Sequence, residues 1–384
     1  MHILYHHRTA SRDGQAVHID EMIAAMRSLG HTVQVVAPEV GAAASGGMGG
    51  GLGWVQRMRA MLPKAAYELL ELLYSWVAVR RLLSAAKDRK PDFIYERYNL
   101  FLLAGVWAKQ KLEIPLILEV NAPLVQERSL HSDGLSFRAL ARWAEAKVWR
   151  SADLVLPVTE VLASHVRAVG VPDTRILVLA NGINREHFSD VPALEQAKQA
   201  LGLQGKTVLG FTGFVRSWHG VDRVVTWLAG PASPADAFLL VVGDGPERAP
   251  LEALARTLKV DHKVRFTGVI DRADVPRHVA AFDVALQPAV TAYASPLKLM
   301  EYLVLGKAVV APDEPNLLEI LRHDDNALIF SAKDPAGLES ALSVLCADSA
   351  LRERLGQRAR ATIAEKRLTW VENASRVAER AAAV

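Results

Sequence analysis

The chain is predicted to fold as two doubly wound α/β domains in tandem, each a parallel sheet flanked by helices. Three observations carry that expectation. Short apolar runs alternate with longer helical patterns twice over, as βαβ units do. The 384 residues exceed one ordinary core, and a 51% hydrophobic share is ample for two. A polar joint from Asn181 to Pro192 separates the two series.

Taken in order, the first series places strands near residues 2–6, 32–37, 92–96, 115–120, 153–158 and 175–180, with helices between them. The second places strands near 207–212, 238–243, 263–267, 284–287, 308–311 and 327–330. Ligands of such sheets bind at the carboxyl ends of the strands, and a cleft between two such domains is where two substrates are expected to meet. The tail from about Leu351 to Val384 reads as helical, with Trp370 as its one large aromatic anchor. The glycine-rich stretch Gly41 to Gly53 follows no strand directly and reads as a loop, not a phosphate cradle. Beyond it, Trp54 to Lys87 mixes Arg57, Arg59, Lys64, Arg80 and Arg81 with Trp54, Met58, Met61, Leu62 and Trp76. Such a segment either lies on an anionic membrane or packs as a helix with a solvated face, and the second reading is preferred.

A net charge of +3 suits anionic small ligands or an anionic membrane surface. No basic stripe studded with aromatics argues for nucleic acid. Cys346 is the single cysteine, so an intrachain disulfide and a cysteine-based zinc site are both excluded. His6, His7 and His18 show no metal-ligand spacing and read as structural. The N-terminus runs straight into a strand pattern and no apolar stretch reaches transmembrane length, so a cytoplasmic location is expected, with the inner face of the plasma membrane as an option.

The most informative segment is TAYASPLKLMEYLVLGKAVVAP, Thr291 to Pro312. Ser295 suits a helix cap, Pro296 the first helical position and Gly306 the stop, and Ala308 to Ala311 reads as a strand. Between them, Leu297, Leu299, Met300, Leu303, Val304 and Leu305 leave no polar stripe, so Lys298 and Glu301 must answer to something other than water. They share a helix face. Lys298 sits in the first turn, where the helix dipole disfavours a cation by about 0.3 to 1 kcal/mol unless an anion is bound. A diphosphate at the helix N-terminus, with Glu301 accepting hydroxyls, satisfies both groups. The alternative is an internal Lys298–Glu301 ion pair.

Other strand ends carry matching features. HHRTASRDGQAVHIDEM places Gly14 on a loop entering a helix; FTGFVRSWHGVDRVV ends a strand at Gly213 and follows it with Arg216 and His219. A guanidinium and an imidazole beside a helix start make an anion site. VVGDGP ends a strand at Gly243, and VRFTGVI ends at Gly268.

These stations, with NGINREHF at Asn181 to Phe188, occur in the order seen in the family 4 retaining glycosyltransferases of the GT-B fold, which the chain resembles over nearly its whole length. The resemblance implies two Rossmann-like domains: an acceptor domain, 1–184, onto which a last helix, 367–384, crosses back, and a donor domain, 185–366. It implies sugar transfer from a nucleoside-diphosphate sugar to a hydroxyl of a glycan or lipid-linked glycan, with retention and no metal or other cofactor. Carried over, Glu301 accepts the ribose hydroxyls, Leu297 and Lys298 touch the nucleotide, Gly268 and Val269 read the base, and Gly14 lies near the donor phosphates. Arg216, Lys298 and a protonated His219 would stabilise the charge that grows on the diphosphate. Two departures stand out. Tyr293 occupies the place of a family glutamate, and the usual arginine and lysine positions fall at Phe214 and His219, with Arg216 near enough to supply the guanidinium. Asn121, where many relatives have a histidine near the acceptor, either serves the acceptor or caps the turn before Pro123; Glu119 and His131 lie nearby in sequence. A non-catalytic nucleotide-sugar-binding subunit and a sugar-nucleotide 2-epimerase of the same fold are the competing readings.

Overall fold

The structure, a computed structural model, describes residues 1–9, 14–38, 63–131 and 134–384. Asp13, the glycine-rich stretch 41–53 and the mixed segment from Trp54 to Leu62 lie outside the described residues.

The chain divides into two units. The first comprises Met1–Ala180, Tyr293–Ser295 and Trp370–Val384; the second comprises Asn181–Ala292 and Pro296–Thr369. The boundaries thus fall at 180/181 and 369/370, not at 184/185 and 366/367. Sequence patterning gave no hint that Tyr293–Ser295 group with the first unit.

The first unit is a five-stranded parallel sheet in the order β2-β1-β3-β4-β5, formed by β1 (His2–His6), β2 (Thr32–Val36), β3 (Phe93–Arg97), β4 (Leu116–Val120) and β5 (Leu154–Pro157). Every residue of β1, β3 and β4 is buried, the polar His2, His6, Glu96, Arg97 and Glu119 included, as in parallel strands covered on both faces, whereas β2 at the edge alternates. Its helices are α1 (Gly14–Ser28), α2 (Lys64–Ala85), α3 (Ala104–Leu112), α4 (Leu124–His131), α5 (Arg138–Ser151) and α6 (Glu160–Ala168). The sixth expected strand, 175–180, shrinks to one bridge between Ile176 and Val155. Leu177 and Leu179 donate to Val155 and Pro157, but Pro157 has no N–H to return, so the ladder stops there.

The second unit is a six-stranded parallel sheet ordered β11-β10-β9-β6-β7-β8, from β6 (Thr207–Thr212), β7 (Ala237–Val242), β8 (Val264–Phe266), β9 (Val284–Leu286), β10 (Ala308–Pro312) and β11 (Leu328–Phe330). Its helices run α7 (Leu194–Ala200), α8 (Val221–Leu228), α9 (Arg248–Thr257), α10 (Val275–Ala280), α11 (Leu297–Val304), α12 (Pro315–Leu318), α13 (Gly337–Ala347) and α14 (Ser349–Glu365). The last helix, α15 (Trp370–Ala382), returns to the first unit and buries Trp370, Ala374, Val377 and Ala381, one stripe at helical spacing. The Trp370 ring meets the His18 ring of α1 at 4.7 Å.

In α2 the expected solvated polar face is corrected. Glu68, Glu71 and Ser75 point inward, while Leu69, Leu70, Leu73, Trp76 and Val77 are exposed. Among the described residues no helix is long and apolar enough to cross a membrane.

Candidate functional site

In the second unit the carboxyl ends of β6 and β7 nearly touch. A side chain at Gly243, where φ is 140°, would place its Cβ 2.2 Å from the Gly213 carbonyl oxygen, so only glycine allows the approach. The loop after Gly213 carries Arg216 and His219 and enters α8. Helix α11 is fixed beside it by Tyr302, whose hydroxyl accepts the Thr212 N–H at the end of β6 at 2.9 Å. Tyr302 is fully buried and was not singled out in the sequence, where it reads as one more apolar position.

Helix α11 starts one residue later than expected. Pro296, not Ser295, is the cap residue, with extended φ −71° and ψ 123°, and no side chain caps this N-terminus. Ser295 is buried and groups with the first unit. Leu297 and Lys298 open the helix, and the Lys298 side chain reaches back to Gly213: its Cε lies 3.6 Å from where a Gly213 Cβ would be. The ammonium stands 3.8 Å over the centre of the Phe211 ring.

Lys298 and Glu301 form no ion pair. Glu301 Oε2 is shut off from solvent without a hydrogen-bond partner. Each residue is half-buried as a whole, and Glu301 Oε2 is the atom closed off from solvent. Desolvation lowers the Lys298 ammonium to about 7 against the pull of Glu301, and raises the Glu301 carboxyl to about 7 against Lys298 and Arg272. Among the described residues, therefore, neither group finds a hydrogen-bonded partner of opposite charge.

Arg216 is half-buried, its guanidinium 4.8 Å over the Phe214 ring and 5.1 Å over the Trp218 ring. Stacking presents it with no carboxylate partner among the described residues. His219 differs from expectation. Its Nδ1 accepts the Arg216 backbone N–H at 3.2 Å, which leaves Nε2 as the protonated nitrogen of a neutral ring. Desolvation, then the charges of Lys298 and Arg216, push its pKa down to about 2. Within the chain the ring is thus a neutral donor, and the imidazolium expected at this position would require the charge of a diphosphate beside it. Gly268 is buried with φ 72° at the end of the β8 strand, and Val269 beside it is 53% exposed.

The first unit carries a different cluster. Glu119, on β4, receives Tyr95 Oη at 2.8 Å, His18 Nε2 lies 3.0 Å away, and Arg97 and Asn121 donate to its other oxygen. These partners hold its carboxyl far below the usual range although burial alone would raise it. A carboxylate only accepts, so Asn121 must turn Nδ2 toward it and leave Oδ1 facing away. The adjoining cavity, lined by His18, Tyr95, Glu119, Trp370 and Asn373, is about 10 Å³, room for no more than a water. His6 Nδ1 meets Glu96 at 2.6 Å, and burial lowers the His7 pKa to about 4, consistent with structural roles for these rings. Tyr293 donates to Glu127 at 2.6 Å, and Gly14 opens α1, exposed. Among the described residues no group of three or more His, Cys, Asp or Glu is placed to hold a metal ion.

Comparison with known proteins agrees with this division. Residues 13–182 match the family model of the glycosyl transferase 4-like domain, and residues 194–362 that of the glycosyl transferases group 1. A GDP-mannose-dependent alpha-mannosyltransferase of Mycobacterium tuberculosis is 26% identical over 254 residues, 66% of this chain and 63% of that protein. The lipopolysaccharide core biosynthesis glycosyltransferase LpsE of Rhizobium meliloti is 28% identical over 220 residues, 56% of this chain and 60% of its own length. The chain thus spans less than two thirds of these curated relatives. Anabaena HepE, solved in complex with UDP, superposes with a TM-score of 0.75 at 18% identity over 100% of both chains, and a Thermosynechococcus elongatus sucrose-phosphate synthase with 0.76 at 17%, over 99% of this chain and 98% of its own. Both share the fold.

Proposed function

We propose that this chain, which belongs to the glycosyltransferases with a glycosyl transferase 4-like and a group 1 domain on the GT-B fold, moves a sugar from a nucleoside diphosphate to a hydroxyl of a glycan or lipid-linked glycan. One observation carries the reading: Lys298 and Glu301 sit side by side at an uncapped helix start, dehydrated and unpaired with each other. A diphosphate gives the lysine its anion and a ribose gives the carboxylate its hydroxyl donors. GDP-mannose, named for one relative, and UDP, bound in one fold neighbour, share this diphosphate and pentose, so the base stays open.

As the glycosidic C–O bond breaks, negative charge grows on the leaving diphosphate. Arg216, Lys298 and the α11 N-terminus meet that charge, and His219 adds a neutral N–H from Nε2. Protein cations fill the role a metal takes elsewhere, so the reaction is proposed to be metal-independent. Retention follows if the leaving phosphate itself takes the acceptor proton on the face it departs from. Asn121 Oδ1, turned away from Glu119 by the Nδ2 hydrogen bond, is the proposed acceptor-side contact, and the proposed location is cytoplasmic, at the inner membrane face.

A thermal-shift screen with UDP, GDP and ADP sugars tests the donor, since a ligand at a hundred times its dissociation constant stabilises by about 2.7 kcal/mol. Nucleotide release that depends on added acceptor supports transfer; conversion of a nucleotide sugar into its epimer with no net nucleotide release identifies an epimerase. A binding subunit without turnover is the second reading. It is favoured by Tyr293, which donates to Glu127 where family members carry a glutamate.

A further inference from the structure

Helix α2 is partitioned the wrong way round for a helix facing water. Its two carboxylates, Glu68 and Glu71, are both buried, while Leu69, Leu70, Leu73, Trp76 and Val77 are 45, 44, 58, 60 and 47% exposed. Those five fall on one stripe at helical spacing. The orientation is enforced by polar contacts. Glu68 accepts the Ser136 and Phe137 N–H groups at 2.7 and 2.8 Å, Glu71 accepts Arg128 at 2.6 Å, and Ser75 bridges the Phe101 carbonyl and the Leu103 N–H. Rolling α2 to hide its leucines would leave all of these unpaired, at a cost that apolar exposure alone does not match. The stripe then continues as Arg80 and Arg81, and Lys87 follows just past the helix end, all three exposed. From Leu69 to Val77 it is about 12 Å long, too short to span a bilayer and long enough to lie in its surface.

We propose that this face of α2 docks on an anionic lipid bilayer, the five apolar side chains entering the acyl boundary and Arg80, Arg81 and Lys87 meeting the headgroups. Charge complementarity selects that occupant. Within α2 the stripe carries Arg80 and Arg81 and no carboxylate, the exposed Asp88 lying with Lys87 past the helix end, so a second copy of the helix face would offer its arginines nothing to pair with, whereas phosphatidylglycerol or a similar lipid does. The inference extends the lipid-linked acceptor reading but does not depend on it, because docking is read without turnover.

The test is cosedimentation of the full chain with phosphatidylcholine vesicles, with and without phosphatidylglycerol. Binding should require the anionic lipid and weaken as salt rises. Leu73→Glu and, separately, Trp76→Ser should each lower vesicle binding tenfold or more, and Arg80→Ser and Arg81→Ser about fivefold each, all with unchanged nucleotide-sugar thermal shifts. Failure of the wild-type chain to bind, equal binding by Leu73→Glu, or a dimer in light scattering that Leu73→Glu dissociates would overturn the assignment; loss of donor binding in the wild type would bear only on the transferase reading.

Discussion

Glu119 in the first unit and Glu301 in the second are both carboxylates with dehydrated oxygens, and they titrate in opposite directions. Around Glu119 the sequence places Arg97, Tyr95, His18 and Asn121, and the carboxyl is held far down. Around Glu301 it leaves Oε2 without a partner, and desolvation pushes the carboxyl up to about 7. The same side chain therefore serves as a finished structural post in one place and an unfinished site in the other. What separates them is the number of donors, since Glu119 is the more buried of the two and still has the lower pKa.

The hardest test of that contrast is to remove each acid. Glu119→Ala strands Arg97 and His18 in the core and should cost about 3 to 5 kcal/mol of stability by urea denaturation, the usual result of deleting one partner of a buried pair. Glu301→Ala strands nothing and should leave stability unchanged or higher, while weakening donor binding. A Glu119→Ala protein as stable as the wild type would erase the distinction.

Next in size are the cations. Lys298→Met and Arg216→Ala should each lower kcat/KM by about a hundredfold or more, in line with the roughly 2.7 to 4 kcal/mol lost when one transition-state donor is removed. Neither should destabilise the empty protein, because neither side chain is ion-paired there. Unchanged steady-state rates with a saturating nucleotide sugar would retire both assignments.

The titrations give a subtler signature. Glu301 rises from 4.5 to about 7 on folding, so the folded chain binds more protons than the unfolded one between those values, and stability falls as pH climbs across them. Lys298 falls from 10.5 to about 7, so the unfolded chain binds more protons above 7, and stability recovers as pH rises further. The empty protein should show a dip near pH 7 in urea midpoint, losing its acid limb in Glu301→Gln and its alkaline limb in Lys298→Met. At pH 8, donor binding should return a proton to Lys298, seen as uptake by calorimetry in buffers of different ionisation enthalpy. No uptake, or equal uptake in Lys298→Met, would move the diphosphate elsewhere.

Much of this was legible in the sequence because parallel strands buried on both faces are continuous apolar runs and the strand ends carry glycines. The pairing of Lys298 with Glu301 on one face was legible for the same reason: two charges in an apolar helix are conspicuous. Tyr302 was not, since a hydroxyl that accepts from Thr212 looks no different in sequence from a packed aromatic. The strand at 175–180 failed on a single missing N–H at Pro157, a neighbour twenty residues away in sequence, about the least visible kind of constraint. The inverted face of α2 was invisible because it depends on partners at Arg128, Ser136 and Phe137 that only the fold brings together.

The smallest expected effect concerns His219, and it separates charge from geometry within the second unit. Its Nδ1 is occupied by the Arg216 N–H, and Lys298 and Arg216 oppose a second proton, so the ring offers one neutral donor. A neutral hydrogen bond contributes about 0.5 to 1.5 kcal/mol, so His219→Gln, which keeps an N–H, should reduce turnover by about tenfold at most. Its rate profile from about pH 5 to 8 should run parallel to that of the wild type, because no imidazolium is lost across that range. His219→Lys, by contrast, adds a cation beside two others and should raise donor affinity only as far as the diphosphate offsets that repulsion. A wild-type inflection in this range that vanishes in His219→Gln would show that the ring acts protonated once the donor is bound, and the diphosphate would then have to approach it closely enough to reverse the influence of both neighbouring cations.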